Sequence, residues 1–174
     1  MNGRSASILL AGLLFSSSSP AQTPSMRRLL SASNEETRRG AKANEDLSRV
    51  ARAIGRVERA FEAGDSDEIE SCLSEKRIYL SLRTRGEEAG YYGRSQVKHM
   101  LGKLFRERRT DSFTYRPEDI ELSRDDGAGF RAEWSYVPAE ADDVVTEELR
   151  FKLDRSRSPD GDDWLVSEIR AQSR

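Results

Sequence analysis

The stretch EDLSRVARAIGRVERAFEAGD, residues 45–65, decides how the rest of the chain is read. Leu47, Val50, Ile54, Val57 and Phe61 recur at spacings of three and four, which draws one apolar stripe along a helix from Glu45 to Ala63. Asn44 suits the N-cap, Glu45 and Asp46 suit the positive helix end, and Gly64 suits the position just past the C-terminus. Asp65 or Ser66 then caps a short second helix through Ile69, Cys72 and Leu73.

Downstream, the hydrophobic period changes to that of strands. Ile78, Leu80 and Leu82 alternate with Tyr79, Ser81 and Arg83, the pattern of a half-buried strand. A polar turn over Gly86 to Gly93 follows, with Tyr91 and Tyr92 forming a brief second strand. Ser95 caps a third helix, whose Val97, Leu101, Leu104 and Phe105 face the core with Met100 at the edge. Four strands remain. The first holds Phe113, Tyr115, Ile120 and Leu122 and is interrupted at Pro117, where the missing amide donor favours a bulge or an edge. The second places Phe130, Ala132, Trp134 and Tyr136 on one face, and the third does so with Leu149, Phe151 and Leu153. In the last, strict alternation puts Trp164, Val166 and Glu168 on one face and Leu165, Ser167 and Ile169 on the other.

Upstream of residue 45 the character differs. Arg4, an apolar run within Ser5 to Phe15, and small residues from Ser16 to Ala21 make a tripartite signal peptide, cleaved before Gln22. The apolar run is too short for the ~20 residues that span a bilayer, so no anchor is expected after cleavage. Residues 22–44 lack an apolar stripe and read as a disordered linker, with a transient helix near Asn34 to Arg39. The expected organisation is therefore a signal peptide (1–21), a linker (22–44) and one domain (45–174) in an exported protein, periplasmic or secreted.

Among 174 residues, 29 basic and 31 acidic side chains are interspersed, leaving a net charge of −2. There is no sustained basic field, so nucleic-acid binding is not expected. The single cysteine, Cys72, excludes an intramolecular disulfide, and its neighbours Ile69 and Leu73 mark it as a buried thiol. One Cys and one His make no metal site, and no cofactor is expected.

The order of elements over residues 45–172 resembles the nuclear transport factor 2-like superfamily. The resemblance is carried by the Phe61…Gly64-Asp65 helix ending, by Ile78-Tyr79-Leu80-Ser81-Leu82, and by Tyr92-Gly93-Arg94-Ser95-Gln96-Val97. The last strand, Trp164-Leu165-Val166-Ser167-Glu168-Ile169-Arg170, is similar to that of small secreted bacterial proteins in a family of unknown function. The resemblance implies an α+β cone, three helices packed on a curved, mostly antiparallel sheet, and often a dimer through the outer sheet. Enzymes of this superfamily, such as ketosteroid isomerase and scytalone dehydratase, place Asp, His or Tyr inside the cone. Here the inward series shows no Asp or His.

The leading expectation is thus a non-enzymatic binding or interaction module. Trp134, Tyr136 and Phe151 would line its pocket for a small apolar ligand, or a protein partner would dock. The alternative is an isomerase- or dehydratase-like enzyme acting on a small apolar substrate in the cone cavity. Glu168 would be its base and Tyr79 or Tyr136 its hydrogen-bond donor. His99 falls beside the apolar stripe and reads as solvated, as do the carboxylate pairs Glu87-Glu88 and Asp142-Asp143. Arg131, Glu133, Arg150 and Lys152 mark a charged outer face, which predicts a monomer or weak homodimer.

Overall fold

A computed structural model of the chain describes residues 24–82, 88–123, 127–158 and 161–172. By internal contacts the chain divides into two units, Met1–Gly40 and Ala41–Arg174. Of the first, the described part is helix from Pro24 onward. The expected signal peptide lies outside the described residues.

Helix α1 spans Pro24–Ala63, so it starts well before the Glu45 expected from the apolar stripe, and Asn44 is interior rather than a cap. The Arg, Leu, Glu and Ala residues before Asn44 are good helix formers. Pro24 suits a first helical position, having no amide proton to lose. Within the second unit, α1 buries Val50, Ala53, Ile54, Val57, Ala60 and Phe61. Leu47, expected on the same stripe, is 42% exposed.

The helix stops at Gly64, whose φ of 62° is open to glycine without the Cβ clash of other residues. The amide of Asp65 donates to the Ala60 carbonyl (2.9 Å) and that of Gly64 to Phe61 (3.3 Å), the two bonds of a Schellman motif. Asp65 then caps α2 (Ser66–Cys72), its carboxylate accepting from the amides of Asp67 (2.8 Å) and Glu68 (3.0 Å).

Helix α3 runs Arg94–Glu107 and is capped by Gly93, not by Ser95 as expected. The Gly93 amide donates to Gln96 Oε1 at 2.9 Å, and that contact sets the start two residues earlier. Val97, Leu101 and Leu104 are buried, with Phe105 and Met100 half-buried beside them.

Among the described residues, seven strands form one sheet: β1 (Ile78–Ser81), β2 (Gly90–Tyr92), β3 (Arg108–Tyr115), β4 (Glu121–Leu122), β5 (Gly127–Pro138), β6 (Val145–Ser158) and β7 (Gly161–Ala171). Their order is β2-β1-β7-β6-β5-β3, with β4 also paired to β5. Among the described strands β1 and β7 pair in parallel and the other pairs are antiparallel. A 3₁₀ turn at Pro117–Asp119 separates β3 from β4, the expected interruption.

Two bulges bend the sheet, one at Asp111 on β3 and one at Ser167 on β7. The second overturns the strict alternation expected for the last strand. Leu153 opposes Val166 while Lys152 opposes Glu168, so Ser167 is the extra residue. The pleat resets, Ile169 turns into the core with no exposure, and Glu168 turns outward.

The core lies between the helices and the inner sheet face. Phe61 stands at its centre, with ring centroids of Phe113 at 4.7 Å, Phe105 at 5.2 Å, Trp134 at 5.6 Å and Phe151 at 5.7 Å. Phe130 stacks on Phe151 at 4.6 Å with the planes 8° apart. Aromatic side chains thus fill the inner face between α1 and the central strands.

Candidate functional site

On the inner face, polar groups gather where α3 passes into β3. Trp134 and Tyr136 point inward from β5, and Thr110 of β3 sits opposite Tyr136. The Trp134 indole donates to Thr110 Oγ1 (3.0 Å), which satisfies an amine that burial would otherwise orphan. The Tyr136 hydroxyl donates to Glu147 Oε1 (2.8 Å), and Arg108 donates to Glu147 Oε2 (3.3 Å). The Arg108 guanidinium also lies 4.5 Å from the Tyr136 ring centroid and 5.6 Å from that of Trp134. The side chains of Arg108 and Glu147 are only 13% and 12% exposed. Such a clasp holds a carboxylate by hydrogen bond and by charge and ties its lone pairs to protein donors.

The expected pocket residues therefore belong to packed structure. Trp134 and Phe151 have no exposure and Tyr136 has 4%. The structure brings Trp134 and Tyr136 together, with centroids 4.5 Å apart, while Phe151 packs deeper against Phe130 and Phe61.

Glu168 and Tyr79 stand on the opposite, outer face, directly across from one another in the β1–β7 register. Arg170 links them: its Nε reaches Glu168 Oε1 at 2.5 Å and its guanidinium lies 4.4 Å from the Tyr79 ring centroid. Tyr91 of β2 meets Tyr79 edge to face at 5.2 Å and is 64% exposed. Glu168 thus converges with Tyr79 and not with Tyr136.

The same outer face carries an open groove of about 750 Å³. Its floor is β5 at Gly127, Ala128 and Gly129, and its walls are Glu121 and Leu122 of β4 and Arg150, Lys152, Glu168 and Arg170 of β6 and β7. The depression has a simple cause. Along β5 the outward positions are Gly127, Gly129, Arg131 and Glu133, so the side-chain layer is missing at the first two. Neither glycine has a positive φ, and the β5–β6 register runs through both without a bulge. A Cβ at Gly129 would meet nothing nearer than the Phe151 carbonyl at 3.6 Å, an ordinary contact. Gly129 is therefore not required by close packing of the fold.

Elsewhere, His99 is exposed, and Asp142 and Asp143 lie in an exposed loop. Glu88 is exposed and its carbonyl accepts from the Tyr92 hydroxyl, whereas Glu87 lies outside the described residues. Burial pushes the Cys72 thiol above its ordinary pKa, a shift the Ser71 hydroxyl partly opposes. No group of three or more metal-ligating side chains stands together among the described residues, and no described helix is long and apolar enough to cross a membrane.

Glu147 and Arg108 were not expected from the sequence. Counting back by two from Leu149 places Glu147 inward, but the apolar series starts only at Leu149, whereas β6 begins at Val145. The groove was legible only as two glycines in an alternating strand, a mark of close approach by another group.

No family model matches this chain, and no curated protein is significantly similar to it. Solved structures are. A DUF4783 family protein from Bacteroides uniformis superposes with a TM-score of 0.55 at 12% identity, covering 69% of this chain and 95% of that one. A ketosteroid isomerase-like protein from Erwinia carotovora atroseptica reaches 0.56 at 15% identity, over 75% of this chain and 99% of that one. A putative dehydratase of the NTF2-like family from Streptomyces avermitilis reaches 0.53 at 17% identity, over 74% and 96%. Helices, sheet order and these superpositions agree: the chain has the nuclear transport factor 2-like fold, in the form it shares with proteins of a domain family of unknown function.

Proposed function

We propose that this chain is a non-enzymatic binding module that acts after export and takes its ligand in the groove on the outer sheet face. One observation carries the reading: aromatic side chains fill the inner face, while on the outer one Gly129 leaves a partly exposed floor within walls of polar side chains. A small apolar ligand on Trp134, Tyr136 and Phe151 would have to displace packed rings, each of which buries on the order of 150–250 Å². The outer groove needs no such opening.

Two structural neighbours bear the names of a putative dehydratase and an isomerase-like protein. That chemistry requires an acid–base group facing substrate. Glu147, the carboxylate beside Trp134, is engaged by Tyr136 and Arg108, and Glu168 lies outside the cone. Export rests on the tripartite pattern of residues 1–21.

A thermal-shift screen of polar and apolar small molecules against the wild-type protein and Gly129→Val tests the reading. Valine fills the groove floor where a Cβ fits. Polar compounds that stabilise the wild type but not the variant are expected. Compounds that stabilise both equally, or a set of purely apolar stabilisers, would overturn it.

A further inference from the structure

Resting on that assignment of the groove, we propose that its ligand is a neutral oligosaccharide. The charges on the walls are already compensated. Arg150 stands 3.9 Å from Glu121, Lys152 3.6 Å from Asp154, and Arg170 2.5 Å from Glu168. An anionic ligand would face Glu121 and Glu168, and a cationic one Arg150, Lys152 and Arg170. An apolar ligand would strip water from all of them without returning hydrogen bonds. A polyhydroxyl chain suits such walls, because each hydroxyl both donates to a carboxylate and accepts from a guanidinium or ammonium group.

Aromatic chemistry at the β1–β2 side points the same way. Arg170 lines the groove and also covers Tyr79, which in turn holds Tyr91 edge-on. Tyr91 is the most exposed large apolar side chain among the described residues at 64%. Tyr91 stands outside the groove lining, two strands from the Arg170–Glu168 pair, and extends that row of side chains with a ring of the kind sugars use, their axial C–H bonds lying against an aromatic face while equatorial hydroxyls reach sideways. The partly exposed backbone at Gly129 lets a pyranose ring lie directly on the sheet, with the Lys152 stem over the buried Gly127 beside it. A groove of about 750 Å³ falls within the span of small-molecule sites and is open at the surface, as a chain of several sugar rings needs.

Isothermal titration calorimetry of the full-length protein with cellohexaose, chitohexaose and maltohexaose decides the matter, with hexagalacturonate as the anionic comparison. At least one neutral hexasaccharide should bind saturably. Its affinity should fall about tenfold or more in Gly129→Val and in Tyr91→Ala. Circular dichroism should show both variants folded, since one adds a Cβ where contact is ordinary and the other truncates an exposed ring. Absence of binding by all three neutral probes overturns the oligosaccharide assignment, as does tighter binding of hexagalacturonate. If the neutral probes fail yet some other compound stabilises the wild type and not Gly129→Val, the ligand class falls while the groove stands. If no probe distinguishes the two proteins, both readings fall.

Discussion

Val166 and Ile169 stand three residues apart on β7, yet both side chains are wholly buried. Strict alternation would have put Ile169 in water and Glu168 in the core. The bulge at Ser167, whose hydroxyl donates to the Lys152 carbonyl at 3.4 Å, inverts the pleat between them. Burial of one isoleucine in place of one carboxylate is the gain, and it far outweighs one interrupted rung of the ladder.

Ile169→Ala is therefore expected to cost about 2–5 kcal/mol in urea unfolding. Glu168→Ala should change stability by no more than about 1 kcal/mol, because its partner Arg170 is half exposed. The opposite order would mean that the bulge is not where the register places it.

The α1–α2 junction yields a second pair of expectations. Gly64→Ala forces a Cβ into the left-handed region and should cost about 1–2 kcal/mol. Asp65→Ala removes the acceptor for two helix amides and should cost about 0.5–2 kcal/mol. Thermal unfolding of both variants checks this; indifference to Gly64→Ala would contradict the helix ending.

The inner clasp is testable by a double-mutant cycle. Glu147→Gln and Arg108→Met should each destabilise, and together by less than the sum. The expected coupling is about 0.5–3 kcal/mol, since the pair is largely withdrawn from water. Additive effects would show that the contact carries no energy.

Cys72 gives a pH dependence. Burial raises its folded pKa above the ordinary thiol value, so the neutral thiol stabilises the fold fully below the unfolded pKa. As pH climbs from the unfolded pKa through the folded one, the unfolded chain sheds the proton first and stability falls. Urea midpoints at about pH 8 and about pH 10 should drop more steeply for the wild type than for Cys72→Val. The native thiol should also react slowly with iodoacetamide at neutral pH. Rapid native labelling would count against its burial.

The outer face predicts weak self-association. Arg131, Glu133, Arg150 and Lys152 are all exposed there, whereas the cores of obligate dimer interfaces are depleted of charge. Sedimentation velocity at micromolar concentration should show a monomer or a salt-sensitive dimer. A tight, salt-insensitive dimer would refute this.

Much of the architecture was legible in local pattern. The Gly64-Asp65 junction announces itself because only certain residues suit a left-handed cap and an N-cap. Phe130, Ala132, Trp134 and Tyr136 alternate, and all four are buried on one face, because successive side chains of a strand must point oppositely. The candidate sites were less legible. Glu147 hid one step beyond an assumed strand start, and Tyr79 meets Glu168 only because two strands distant in sequence pair in parallel.

Composition and periodicity thus determined the order of helices and strands, most of their apolar faces and the points where the chain must turn, since these depend on neighbours within a few residues. Tertiary structure alone decided the bulges at Asp111 and Ser167, the filling of the inner face around Phe61, and the groove over Gly127 and Gly129. The reason is physical: which side chain opposes a residue across the sheet, and how much space lies beyond it, is set by long-range register and packing that no local period encodes.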